Sequence, residues 1–213
     1  MKTSAMHTAT SSTRVHWRRR AFLAGLGVGG LTMAGASVFG LAHAQSSVAL
    51  SSAALLSAWR QEGGVLLIRH AATESGLGDP PGFVIGQCGT QRNLSKAGRQ
   101  ASRALGQWLQ AQQFKPDAVR SSQWCRCQDT AGLAFGQFED WPALNSTFGG
   151  QGNPQAQLQA LRERLAAMPA GRTEVWVTHQ VIMTGLTGAY PGFGEGFWVD
   201  CQSRLRLRSD LAA

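Results

Sequence analysis

Acidic residues are absent from the first 44 positions of this 213-residue chain, although 12 occur in the whole. Five of the 20 basic residues lie in that stretch: Lys2, Arg14, Arg18, Arg19 and Arg20. The formal charge of +8 therefore falls to +3 over the remaining residues, which removes the main support for bulk nucleic-acid binding. No fixed glycine period and no sustained heptad occur, which excludes collagen-like and coiled-coil chains. With 43% hydrophobic and 15% charged residues, wholesale disorder is excluded as well. Beyond residue 44 no apolar run approaches the ~20 residues needed to span a bilayer. Histidine is scarce: His7, His16 and His43 fall in the first 44 residues, leaving only His70 and His179 beyond them. Two histidines with the Cys125-x-Cys127 spacing do not match a structural zinc pattern, and no internal repeat is present.

The first 44 residues carry a basic stretch, then an apolar run from Ala21 to Leu41 with six glycines, then Ala42-His43-Ala44. Basic, apolar and small-residue regions in that order predict a secretory signal cleaved after Ala44. Arg19-Arg20-Ala21-Phe22-Leu23 fits the twin-arginine pattern, so the expected partner during secretion is the twin-arginine export machinery. The expected location is periplasmic, or membrane-anchored if the signal is retained. Residues 45–213 then form the mature domain, long enough for a substantial core. An oxidising compartment permits disulfides among Cys88, Cys125, Cys127 and Cys201. Cys88–Cys125 and Cys88–Cys127 are both open; Cys125 and Cys127 are too close in sequence to pair without strain.

Strand and helix signals alternate along the mature chain. A helix is predicted over 49–61, ending at Gly63-Gly64, and the apolar run Val65-Leu66-Leu67-Ile68 reads as a buried parallel strand. Residues 71–93, rich in glycine and proline, read as a long functional loop. Ser95 caps a helix to about Gln112; a strand spans Asp117–Ser122 and a helix 124–134. Trp141–Leu144 reads as a short edge strand, and Asn153-Pro154 opens a helix to 168. Glu174–Thr178 is a third strong strand, Val181–Thr187 a helix, and 195–208 a terminal hairpin. The pattern predicts an α/β three-layer sandwich, a mostly parallel sheet with helices on both faces.

His70 and His179 each stand directly after an apolar strand, where ligands bind in open α/β sheets. Arg69 adjoins the first, and Arg126 lies just past the strand ending Arg120-Ser121-Ser122. Two histidines and two arginines at one sheet edge, with little carboxylate nearby, describe an anion site containing a nucleophile.

Four ordered motifs carry a resemblance: Arg69-His70-Ala71-Ala72-Thr73, Leu94-Ser95-Lys96-Ala97-Gly98-Arg99, Ser121-Ser122 through Arg126 to Thr130-Ala131, and Thr178-His179. In these the chain resembles the histidine phosphatase superfamily, also called phosphoglycerate mutase-like, over about residues 63–200. The resemblance implies that His70 attacks phosphorus to form a phosphohistidine. Arg69, Arg126 and His179 would hold the phosphoryl oxygens, with Thr73 also on the substrate. It implies no cofactor and no metal, a small-molecule or sugar phosphate as substrate, and hydrolysis rather than mutase transfer.

The chain departs from the family pattern at three places. Ala71 replaces the glycine of Arg-His-Gly, and Gly76 stands where many members carry asparagine. Gln180 follows the second histidine where one branch has aspartate, and Leu144–Phe148 lacks the glutamate of the other branch. The expected proton donor is instead Glu195, with Glu74 and then Asp79 behind it; Asp129 is expected to face a helix N-terminus. A weak acid supply favours good leaving groups such as acyl phosphates, phosphohistidine or pyrophosphates. The competing reading is a catalytically weak or inactive phosphate-binding member of the same fold.

Overall fold

The computed structural model describes residues 52–211. The export signal expected over 1–44, its cleavage after Ala44 and the twin-arginine pair lie outside the described residues. Helix α1 (Ser52–Glu62) leads into strand β1 (Gly64–Arg69), whose side chains alternate between two cores. Val65 and Leu67 point into one and Leu66 and Ile68 into the other, all of them buried, as the two-residue period of a strand requires. Five further strands complete a six-stranded sheet: β2 (Ala118–Ser121), β3 (Glu139–Asp140), β4 (Thr173–Thr178), β5 (Glu195–Val199) and β6 (Leu205–Asp210). Their order is β3-β2-β4-β1-β5-β6. The first four are mutually parallel, and β5 joins β1 and β6 in antiparallel fashion, so the expected hairpin closes one side.

Helices α1, α2 (Lys96–Ala111) and α3 (Cys125–Phe135) cover one face, with Trp59, Leu105, Leu109 and Ala131 packed on Leu66, Val175 and Val177. Helices α4 (Pro154–Ala166) and α5 (Gln180–Thr187) cover the other, with Leu161, Leu165, Ile182 and Met183 on Val65, Trp176 and Phe197. This is the expected three-layer α/β sandwich. The expected caps also form: Ser95 Oγ accepts from Gly98 N at 3.1 Å and Asn153 Oδ1 from Ala156 N at 3.1 Å.

The expected edge strand at Trp141–Leu144 is corrected. Pro142–Leu144 is a 3₁₀ turn, and the edge strand is the preceding pair Glu139–Asp140. Proline has no N–H for a ladder and its fixed φ suits the first position of a helical turn. The turn drops Leu144 into the core, where its carbonyl accepts from Thr178 Oγ1 at 2.6 Å.

Gly98 is fixed by close approach: a Cβ there would overlap the Ala72 carbonyl oxygen, in the segment that leaves His70. Gly98→Ala is therefore expected to cost on the order of 3 kcal/mol. It is expected to lower Tm by roughly 10 °C in thermal unfolding. An unchanged Tm would mean that α2 does not lie this close to the strand end.

Of the two open pairings, Cys88–Cys125 forms, with a sequence separation of 37. Cys127 and Cys201 are free. Two residues apart on α3, Cys125 and Cys127 face different directions, one toward the long loop and one into the core. At the far end of β4 from His179, buried Glu174 takes hydrogen bonds from Arg164, Trp176 and Arg172, and the three hold its carboxyl down at about 2 against the opposing effect of burial. Among the described residues, no helix is long and apolar enough to cross a membrane.

Candidate active site

The parallel strands end on one edge of the sheet, and β1 and β4 deliver Arg69-His70 and Thr178-His179 there in register. His70 N donates to Thr178 O at 3.0 Å, which ties the two strand exits together. The imidazole rings lie 5.3 Å apart, edge to face, and both are buried. Arg126 enters from the first turn of α3 and Arg92 from the loop before α2. With the first turn of α5, these side chains enclose a chamber of about 90 Å³. The positive end of α5 contributes Gln180 and Val181 to its wall.

Hydrogen bonds fix both histidine tautomers. His70 Nδ1 lies 2.9 Å from Ala71 O. A carbonyl only accepts, so Nδ1 carries the proton and Nε2 keeps its lone pair for the chamber. His179 Nδ1 lies 3.5 Å from Arg126 Nη2, a pure donor, so its proton is on Nε2 and points at Ser122 Oγ, 2.8 Å away. Ser122 passes its own hydrogen to Asn145 Oδ1 at 3.2 Å. Cys127 Sγ sits 3.4 Å from the same His179 Nε2, and burial pushes its thiol up to about 12. It is packing, not a second nucleophile.

Electrostatics make the chamber an anion receptor. Arg69, Arg92 and Arg126 converge against a single carboxylate, Asp79, which bonds Arg126 Nη1 at 2.8 Å. Burial and mutual repulsion press the Arg69 and Arg92 guanidinium groups below their ordinary value, yet they remain charged. The Nε donors of Arg69 and Arg126 are buried without a hydrogen-bond partner. Unpaired buried donors are costly unless an acceptor arrives, and a tetrahedral oxyanion supplies several acceptors. Arg69 is held by its Nη1 bond to Pro191 O at 2.9 Å and by the ring of Phe193, 3.8 Å from the guanidinium carbon.

Burial, reinforced by Arg126, Arg69 and Arg92, pushes His70 down to about 3. Burial, with His70 and Arg126 next, holds His179 well below the ordinary histidine value. Both rings are neutral in the folded protein near pH 7, as a nucleophile requires. Their protonation also couples to folding. Between roughly pH 6.5 and 3 the unfolded chain binds protons that the folded chain refuses. Stability is thus complete above about 6.5 and is lost as pH falls toward 3. Between pH 7 and pH 5 the two histidines are expected to remove on the order of 3–4 kcal/mol. Urea unfolding at the two pH values measures it; equal stability at both would mean that at least one ring is charged in the folded state.

The structure brings Arg69, His70, Arg126 and His179 together and places the other expected residues elsewhere. Thr73 pairs with Leu94 in a β-bridge, and its hydroxyl accepts from Arg92 Nη1, so it braces an arginine behind the wall instead of lining the chamber. Glu195 also lies outside the chamber. Its carboxylate is bound to Arg208 on the adjacent strand at 2.6 Å and to Gly192 N at 2.7 Å, and these partners hold it. Glu74 is exposed on the loop. Asp129 does not face a helix N-terminus; it sits in the second turn of α3 and pairs with Arg99 at 2.6 Å.

Asp79 is the larger surprise, a loop carboxylate that is almost fully buried. Burial alone would raise it, but bonds from Arg126, Arg92 N and Trp124 Nε1 hold it below the usual carboxylate range. It is an ionised anchor for Arg126. Sequence reasoning missed Arg92, whose only signal was its place two residues before the Leu94-Ser95 motif.

Residues 65–151 match the family model described as the histidine phosphatase superfamily (branch 1). No curated protein matches the chain. Among solved structures, the protein histidine phosphatase SixA complexed with tungstate is similar at 18% identity and TM-score 0.47, covering 69% of this chain and 96% of that one. A mycobacterial glucosyl-3-phosphoglycerate phosphatase is similar at 18% identity and TM-score 0.46, covering 67% of this chain and 95% of that one.

Proposed function

We propose that this protein is a phosphatase that hydrolyses a phosphomonoester, or another phosphoryl compound, through a phosphohistidine on His70. The observation that carries this reading is the fixed tautomer: Nδ1 is committed to Ala71 O, and neutral Nε2 stands among three arginines. In the first step Nε2 donates its lone pair to phosphorus while the bond from phosphorus to the leaving oxygen breaks and the leaving group departs with that pair. Arg69, Arg92 and Arg126 balance the charge on the equatorial oxygens, and His179 Nδ1, braced by Ser122, borders the same chamber. In the second step water attacks phosphorus, gives up a proton, and returns the electron pair of the N–P bond to Nε2 as inorganic phosphate leaves.

No carboxylic acid lines the chamber among the described residues, and Asp79 is held ionised by Arg126. We therefore read the preferred substrates as those whose leaving group needs no protonation, such as aryl or acyl phosphates. The same feature favours the second reading, an anion-binding protein with little turnover. Residues 1–44 are proposed to direct export through the twin-arginine route, with residues 45–213 acting in the periplasm.

The test is p-nitrophenyl phosphate turnover by the mature chain in EDTA, with an alkaline quench during turnover and peptide mapping. Release of p-nitrophenol with an acid-labile, base-stable phosphoryl group on the His70 peptide is expected. Tight phosphate binding without release would establish the binding-protein reading instead.

A further inference from the structure

The phosphate-sized chamber does not end at its arginines. A second cavity of about 330 Å³ adjoins it, and Leu77, Gly78, Arg126, Ser146 and Phe148 border both. The additional wall of this annex joins the apolar Pro80, Pro81, Phe83 and Trp124 to the polar Asp79 and Gln151. Several of its polar groups are already engaged. Asp79 and Arg126 bond each other, Trp124 Nε1 donates to Asp79 Oδ2 at 3.0 Å, and Ser146 Oγ accepts from Phe148 N at 3.2 Å. A hydroxyl set against Pro80, Pro81 or Phe83 would cost about 1–3 kcal/mol if left unpaired, whereas an aromatic ring packs on them.

The rim is apolar as well. Leu77 is 86% exposed and Phe148 47%, and both stand where the chamber meets the annex. Phe193, 43% exposed, packs 5.6 Å from the His70 ring. Large apolar side chains gathered at one opening mark a binding surface, whereas scattered ones do not. Gly78, which borders both cavities, lies against the Phe148 ring. Gly78 has φ +72°, and a Cβ there would reach within 3.2 Å of the Phe148 ring.

We propose that the annex receives the leaving group of the substrate, and that this group is an apolar, ring-sized phenol. The proposal rests on the phosphatase reading, because that reading places the phosphoryl group in the adjoining chamber. It narrows the substrate from aryl and acyl phosphates in general to phosphates of apolar phenols. Leu77 and Phe148 act as specificity residues that clasp the apolar body while the arginines hold the anion.

Phenylphosphonates bearing 4-methyl, 4-ethyl and 4-propyl groups separate the two ideas, since they bind without being hydrolysed. Calorimetry on the mature chain is expected to show Kd tightening roughly two- to fourfold per added carbon. A terminal hydroxyl on the propyl group is expected to reverse most of that gain. Phe148→Ala and the exposed substitution Leu77→Ser are each expected to flatten the series. A Kd that does not change from phenyl to 4-propylphenyl, or a slope that survives in both variants, overturns the annex proposal. Hydrolysis of phenyl phosphate by the same sample is read separately. A steep phosphonate series without hydrolysis leaves the annex standing and removes only the phosphatase reading.

Discussion

Alanine at position 70 is expected to lower kcat for p-nitrophenyl phosphate by about 10⁵-fold, close to the loss of the whole covalent route. Nothing else in the chamber can replace the nucleophile. His179 has its Nδ1 lone pair turned toward Arg126 and its Nε2 proton toward Ser122, and Cys127 is a buried thiol pushed up to about 12. The arginines remain, so a residual rate above the uncatalysed reaction is expected from charge stabilisation alone. Alanine also strands the Ala71 carbonyl that His70 Nδ1 satisfied. His70→Asn answers this, because an amide nitrogen can donate to that carbonyl and yet offers no lone pair to phosphorus. Both variants should be equally inactive, and circular dichroism should show both folded. Activity within tenfold of the parent in the asparagine variant would remove His70 from the covalent step. A second readout comes from the same proteins. Each lacks one of the two neutral buried histidines, so each should lose about half of the acid sensitivity between pH 7 and pH 5.

The positions of His70 and His179 were legible in the sequence because the signal is local. An apolar run bounded by glycine fixes a buried strand, and the residue after it has one place to go in a parallel sheet. Arg126 was legible through spacing, since a residue in the first turn of a helix that follows a strand reaches the same edge. The helix caps at Ser95 and Asn153 were legible for the same reason, each lying within three residues of the amide it satisfies.

What failed to show was long-range. Arg92 joins the chamber only because the loop after β1 folds back on itself through the Thr73–Leu94 bridge, a contact 21 residues apart that no periodicity encodes. Asp79 looked like a solvated loop carboxylate because nothing local reveals that Trp124 and Arg126, some 45 residues later, close over it. Glu195 looked poised between glycines, yet its fate is set by Arg208 across the hairpin. Trp141–Leu144 failed on a local rule that proline should have enforced. A proline following an edge pair starts a turn more readily than it continues a strand.

Arg126→Ala is expected to be damaging twice over, and the two losses can be pulled apart. The guanidinium borders the chamber with an unpartnered buried Nε, so its removal is expected to lower kcat/KM by about 10³-fold. It is also the partner of Asp79, which is only 7% exposed. Removing one side of a buried pair leaves an uncompensated charge, at a cost of about 3 kcal/mol at pH 7. Asp79 would then keep its bonds from Arg92 N and Trp124 Nε1 but lose Arg126, so its carboxyl would sit higher than in the parent. The folded parent resists protonation of Asp79 more than the folded variant does and loses more stability in acid, so the variant's deficit relative to the parent should shrink as pH falls below about 5. Asp79→Asn added to Arg126→Ala removes the stranded charge. The double variant should recover much of the stability at pH 7 and none of the activity. That split distinguishes Asp79 as a positioning residue, acting through Arg126, from a carboxylic acid that touches the substrate. If the double variant is no more stable than Arg126→Ala alone, Asp79 does not carry a buried charge against Arg126. The guanidinium would then be ordered by the Arg92 carbonyl, 3.4 Å from its Nη1, and by His179 alone.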